Sequence, residues 1–335
     1  MLTTTTHFFC KKRGILFLFL FLVAVCIIAC VYGSTPLTFS DFWNGLLWKS
    51  GYYNQSIILY YLRLPRVAAG ILAGTGLALS GVLLQAVTGN PLASPGIIGV
   101  NSGAGFCCIL LLCFSPTFWQ FLPLCAFVGA TATTAIILTI AKRIYSSTAT
   151  VILSGIACNA LLNAGISLIS LIDTDVLISY NFFSIGGLNG VQLQQLVLPA
   201  IIILLSFLIS LILSPAIQLL CLGDQIAASL GIRTRRLRSI SLLCASASAA
   251  AAVSFCGLLG FVGLVIPHVA KRLCGNATAP LLIVSAISGS MLVVLADLFG
   301  RTLLAPTEIP VGIVMAFLGV PFLFYLLLKR SPENA

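Results

Sequence analysis

Three arginines carry the strongest chemical signal in this sequence. Arg63 and Arg66 flank Pro65 in Leu62-Arg63-Leu64-Pro65-Arg66, and Arg301 follows a long apolar run. A guanidinium is a planar fork that binds a carboxylate through two parallel N–H···O bonds. Arginines gathered at the ends of apolar segments therefore suit an acidic soluble partner or an anionic ligand. They equally suit lipid headgroups, with their stems lying in apolar surroundings. A second pattern begins at Leu222-Gly223-Asp224 and runs through Ser229 and Leu230 to Gly231. Asp224 is a residue type that N-caps helices and Gly231 one that ends them, so a short helix is expected between the two. Arg233, Arg235, Arg236 and Arg238 follow it. Such a unit either lies on anionic lipid or inserts into a cytosolic partner.

Several chemistries are missing from the chain. It has no GxxxxGK[ST] sequence, so it does not bind ATP through a P-loop of its own, and it has no HExxH. The histidines are His7 and His268, and the twelve cysteines fall mostly within apolar runs, with no CxxC pair and no Cys/His cluster of zinc spacing. They are expected to be small buried hydrophobes. No metal, cofactor or catalytic residue is expected, and the chain is not expected to be an enzyme. An ion-coupled carrier keeps ionisable groups inside the membrane. Asp297 is the one candidate, with Asp173 and Asp175 in a loop. A secondary transporter of a small solute is thus the alternative to the reading below, and a membrane subunit without a pore is a third.

The elements that must position these residues follow from composition. Of 335 residues, 60% are hydrophobic and 7% charged, whereas a soluble domain carries about a quarter charged residues. Lipid is the solvent that suits such a surface, and the formal charge of +10 marks sidedness rather than nucleic-acid binding. Apolar runs at 15–32, 57–86, 94–114, 119–141, 148–171, 193–213, 239–256, 258–270, 281–299 and 309–328 predict an all-α polytopic protein of about ten transmembrane helices. Its 335 residues are expected to form one transmembrane domain with a loop at 214–238. The run after Lys11-Lys12-Arg13 is long enough to span and lacks a small-x-small site at Cys30-Val31-Tyr32, so it is expected to be a retained first helix.

Ten crossings put Lys11/Lys12/Arg13, Lys142/Arg143, Arg233–Arg238, Lys271/Arg272 and Lys329/Arg330 on one side, which is expected to be cytoplasmic along with both termini. Lys49, Arg63, Arg66 and Arg301 then lie outside. Two segments are irregular. Arg238 and Lys271 are separated by 32 residues, about 48 Å of helix, which is short of the roughly 60 Å that two crossings need. That hairpin is expected to turn within the membrane depth near Gly257, Gly260 and Gly263, against a pore wall, or else to be a pair of short tilted helices. Thr88–Gly96 holds two prolines and two glycines and cannot be a continuous helix.

The ordered stretches resemble one family. They are Leu62–Arg66, Gly81-Val82-Leu83-Leu84-Gln85 with Gly89–Gly96, Leu222–Gly231, Gly260–His268, Glu308-Ile309-Pro310-Val311-Gly312 and Gly319-Val320-Pro321-Phe322. The chain is similar, from about residue 55 to 330, to the iron-siderophore, haem and vitamin B12 importer permeases of the ABC class. That resemblance implies a type II importer permease fold in a bacterial inner membrane. It also implies a dimer with a second copy or a paralogue, two cytosolic ATPase subunits and an extracytoplasmic substrate-binding protein. Position by position, it implies that Arg63, Arg66 and Arg301 dock the binding protein. Leu222, Gly223, Asp224, Ser229, Leu230 and Gly231 would couple to the ATPase, and Asn90, Leu92, Ser147 and Thr148 would form a cytoplasmic gate. One stretch departs from the family: Ser184-Ile185-Gly186-Gly187 stands where a Trp-Gly pair is expected.

Overall fold

The computed structural model describes residues 12–33, 35, 37–143 and 148–329, which form helices joined by turns. In chain order the helices are α1 (Lys12–Val31), α2 (Phe39–Leu46), α3 (Tyr53–Ile57), α4 (Leu64–Thr88), α5 (Val100–Phe114), α6 (Leu122–Arg143), α7 (Thr148–Ile172) and α8 (Thr174–Ile185). They continue with α9 (Leu193–Ile212), α10 (Ser214–Leu220), α11 (Asp224–Ser229), α12 (Thr234–Cys256), α13 (Val262–Cys274), α14 (Thr278–Thr302) and α15 (Val311–Lys329). Each of the ten apolar runs contains a helix. Among the described residues, seven helices are long and apolar enough to cross a membrane, and Val100–Phe114 and Val311–Tyr325 are apolar but shorter. The tenth is α13, whose 13 residues reach only about 20 Å.

α4 is the hub. It lies between α14, α12, α13 and α9, and its inward positions are small: Gly70, Ala73, Gly74, Gly76, Ala78, Ser80 and Gly81 are buried or half-buried. In lipid, apolar surface does not drive helices together, so they associate where small residues let backbones touch. A Cβ added at Gly74 would lie 2.2 Å from the Gly289 carbonyl oxygen on α14, and one at Gly81 would lie 1.9 Å from that of Gly263 on α13. α12 answers with its own small face, buried from Ser248 through Cys256. α7 and α9 turn most of their leucines and isoleucines outward.

The α12–α13 hairpin is as short as the charge spacing predicts. Its turn occupies 257–261, with Gly257 at φ 72° and Phe261 at φ 67°. Gly263 is already helical, a correction to its expected place in the turn; α13 needs a glycine there because α4 crosses at that point. Buried turn backbone must be paired, and here neighbouring segments pair it. Gly187 donates to the Cys256 carbonyl at 2.9 Å and Leu258 to that of Phe183 at 3.3 Å. The second span starts earlier than the apolar run, at Tyr53, and passes through a π-helical stretch, Ile58–Arg63. That wider winding directly precedes Pro65, whose missing N–H and bulky ring disturb regular α winding.

Substitution of the contact glycines tests this packing. Gly81→Ala should destabilise the protein by about 1–3 kcal/mol or more through overpacking, seen as a lower thermal transition in detergent. Gly187→Ala, with nothing within 4 Å of its added Cβ, should leave the transition unchanged.

Candidate functional site

The π-helical stretch and the first turn of α4 aim Arg63 and Arg66 at different neighbours. Arg63 reaches the outgoing end of α1, where it donates to the carbonyls of Cys30 (2.6 Å), Val31 and Thr35. Arg66 reaches α14: its Nε lies 3.0 Å from both Asp297 oxygens, and one Nη lies 2.7 Å from Glu308 Oε2. Arg301, one turn beyond Asp297, places Nε 3.1 Å from Asp297 Oδ2 and donates to the Ala29 carbonyl at 3.0 Å. Asp297 is thus shared between two guanidinium groups.

The three arginines expected on an outer rim do meet at one end of the bundle, but their exposure differs from expectation. Arg63 and Arg301 are each only 3% exposed, because carbonyls at and just beyond the end of α1 wrap Arg63, and the Ala29 carbonyl and Asp297 hold Arg301. Three cations face two carboxylates here. Arg63 has no acidic residue within ion-pair distance among the described residues. A cavity of about 300 Å³ opens beside the cluster, bordered by Tyr61, Arg63, Arg66, Asn189, Gln192 and Glu308. A second, of about 470 Å³, lies against Arg66, Phe183, Gly187, Cys256 and Glu308. The Arg66–Glu308 pair borders both.

The departing segment Ser184–Gly187 forms part of this second wall. It is stitched to the hairpin as described above and to α15, where Gly312 donates to the Gly186 carbonyl at 3.2 Å. A Cβ at Gly312 would lie 1.8 Å from the Ile185 oxygen. The end of α8, the hairpin turn and the start of α15 therefore form one main-chain junction.

The 25-residue α4 separates this end from the other by about 37 Å. At its far end Gly89, at φ 61°, stops the helix. Asn90 Oδ1 accepts the Leu92 N–H at 2.9 Å, which closes a tight turn. His268 Nε2 donates to the Pro91 carbonyl at 3.0 Å and Lys271 Nζ to Gln85 Oε1 at 3.2 Å, fastening α13 to both sides of that turn. α7 holds the following 95–98 turn: Asn159 donates to the Gly96 carbonyl at 2.9 Å, and Gly155 lies against Ile97. Of the four expected gate residues, Asn90 and Leu92 sit in this turn. Ser147 lies outside the described residues, and Thr148 begins α7, whose contacts with the turn are about two to three helical turns further on.

The segment 222–231 lies at this same end, beyond α10, whose Gln218 accepts the N–H of Thr278 at the start of α14. A short helix forms as expected, and Gly231 follows its C-cap at φ 82°. Its N-cap is Gly223, not Asp224. Asp224 is the first helical residue, and its carboxylate goes instead to the Arg238 guanidinium at 2.8 Å, which ties α11 to α12. Leu222, Ile226 and Leu230 remain exposed. The sequence did not reveal that Asp297, Glu308 and Gln85 are partners of distant cations. The only cue was that Gln85 and Glu308 stood within the family stretches.

No group of three or more His, Cys, Asp or Glu able to hold a metal is present among the described residues.

Residues 20–329 match the FecCD transport family. The chain is 37% identical over 276 residues, covering 82% of it and 83% of the relative, to the Fe(3+)-citrate import system permease protein YfmE of Bacillus subtilis. It is 33% identical to the hemin transport system permease protein HmuU of Yersinia pestis, covering 95% and 96% of the two chains. A solved inward-facing structure of a metal-chelate type ABC transporter superposes with a TM-score of 0.85 at 30% identity, over 96% of this chain and all of that one.

Removing the shared carboxylate should be costly. Asp297→Asn leaves the buried Arg301 and the half-buried Arg66 short of their shared counter-ion and should cost about 3–5 kcal/mol, read as a lower melting temperature in detergent. Glu308→Gln should cost less, because its side chain is 23% exposed and water can replace it.

Proposed function

The chain belongs to the FecCD transport family and is the permease subunit of an ATP-binding-cassette importer, and we propose that its cargo is an iron chelate or haem. The relatives named above carry ferric citrate and hemin, and the described residues hold no ligand set for a bare ion. On this reading the arginine end faces outward and receives a substrate-binding protein, while α11 faces the cytoplasm and rests on one of two ATPase subunits. A second copy or a paralogue completes the translocation path. The start of α1 and the end of α15 lie on the α11 side.

The observation that carries this reading is the pairing of two unlike surfaces across one rigid helix. One end of α4 bears a cationic cluster beside two cavities. The other leads to a short helix that exposes Ile226, with Leu222 and Leu230 exposed on either side of it, held by the Asp224–Arg238 bridge and followed by Arg233, Arg235 and Arg236. Basic residues favour the cytoplasmic side, and exposed apolar side chains on a braced helix suit insertion into a protein groove. Arg63 is the arginine best suited to an incoming carboxylate, since its present partners are neutral carbonyls. ATP binding by the partner subunits moves the path only insofar as it favours one arrangement of the dimer over the other. Asp297, the candidate for ion coupling, has both oxygens engaged by arginines, an arrangement that suits a structural carboxylate better than a proton carrier.

Two measurements test the reading. Ile226→Asp should lower uptake of labelled iron, supplied as ferric citrate, ferric hydroxamate or haem, by about tenfold or more, as expected for loss of an interface anchor. The amount of permease in the membrane should stay normal. In a cysteine-free background, a cysteine at Gly190 should react with an impermeant maleimide on intact cells, and one at Ser229 only after permeabilisation. Reaction of both from outside would refute the orientation.

A further inference from the structure

We propose that α2 and the turn after it form a platform seated among the phospholipid headgroups and upper acyl chains of the leaflet at the arginine end. The reading requires only that the protein spans a bilayer.

α2 is short but fixed. Thr38 Oγ1 accepts the Asp41 N–H at 3.1 Å, and Asp41 Oδ2 accepts the Thr38 N–H at 2.9 Å, a reciprocal cap that satisfies two otherwise unpaired donors. Its inner face is fastened to the start of the second span. Gly45 packs against Leu59 and Gln55, Ser56 Oγ donates to the Gly45 carbonyl at 2.8 Å, and Tyr60 donates to that of Leu46 at 3.0 Å. Phe42 joins the apolar cluster formed by Val25, Ala29 and Val31 of α1 with Leu59 and Val67.

The outer face is aromatic and unpartnered. Phe39 is 60% exposed, Trp43 45%, Leu47 63% and Trp48 49%. Trp48 is held at φ 49°, a strained value for a bulky residue, and its ring packs 5.5 Å from that of Tyr60 and 6.2 Å from that of Tyr53. This places a Trp and two Tyr as one braced aromatic group on the surface. Trp and Tyr, each with an apolar body and a polar tip, are the side chains that settle at the membrane–water boundary.

Two observations select lipid over a protein partner. First, the patch adjoins the outgoing end of α1, where Ile28 and Tyr32 are exposed, and the rest of that span, of mean hydropathy 3.2, also turns Phe17, Phe19 and Leu20 outward. Second, charge is nearly absent: residues 37–62 contain only Asp41 and Lys49, and the Asp41 carboxylate is occupied by the Thr38 cap. A soluble partner steered by charge finds nothing to complement here. An amphipathic helix at the boundary needs its apolar face only about 5–10 Å deep.

The chain has three tryptophans, Trp43, Trp48 and Trp119, so W119F leaves emission from the platform alone. The full-length W119F protein is reconstituted in phosphatidylcholine vesicles whose acyl chains are brominated near the carbonyl end or near the methyl end. Shallow bromines should quench about twofold more than deep ones, as a boundary position requires, and aqueous iodide should quench weakly. Strong iodide quenching without bromine quenching would mean a face open to water and would overturn the proposal. Insensitivity to both quenchers would mean that protein, such as a second copy, covers the face, and would overturn it equally. W43F in the same background assigns the signal to Trp48, whose quenching should show the same order.

Discussion

The structure depends on how closely α4 is approached. In a lipid solvent the apolar surfaces of helices have little to gain by leaving lipid for one another, so association rests on close contact and polar pairing. Gly74 and Gly81 let α14 and α13 come within backbone contact of α4. That approach brings Asp297 of α14 to Arg66 at one end, and Lys271 of α13 to Gln85 at the other. The same glycines therefore hold both functional ends in register. A side chain at either position would loosen polar contacts about 28 Å apart along α4 as well as the core between them.

The arginine end shows how burial changes the meaning of a charge. Exposed guanidinium groups would be free for any anion. Here Asp297 holds two of the three, α1 carbonyls wrap the third, and Glu308, partly open to solvent, closes the side shared by the two cavities. A buried charge keeps its ionised form only when paired or well hydrogen-bonded. The cluster accordingly combines a structural lock between α4 and α14 with a site one positive charge in excess. The lock fixes the shape of this end of the bundle, and the excess charge is left on Arg63, whose partners are neutral oxygens.

Beside the arginine cluster, the main-chain junction of α8, the 257–261 turn and α15 ties the wall of the second cavity together. Hydrogen bonds at Gly187, Leu258 and Gly312 link three segments that are distant in sequence. Glycines at 257 and 312 allow the backbone of one segment to lie on that of another. Because interfaces packed this closely are not continuously deformable, the three segments of the junction should move as a unit.

The sequence by itself determined the all-helical membrane architecture, the ten apolar segments, the shortness of the α12–α13 hairpin and the short helix after Gly223. All of these are set by local hydropathy, charge order and breaker residues, which act within a few turns of chain. The family stretches fall at both ends of α4. Only the tertiary structure decided where the charges are held. Arg66 meets Asp297 across 231 residues and Lys271 meets Gln85 across 186, and no local pattern encodes such pairs. Asp224 looked like a cap from its position alone, yet it serves Arg238 because α12 returns beside it. The arginines looked exposed because they sit at the outer ends of apolar runs, yet Arg63 and Arg301 are buried because the end of α1 closes over them, and Arg66 is half-buried against α14. The physical reason is the same in each case. The partner of a polar group depends on which helices touch, and that is fixed by how closely small residues allow backbones to approach.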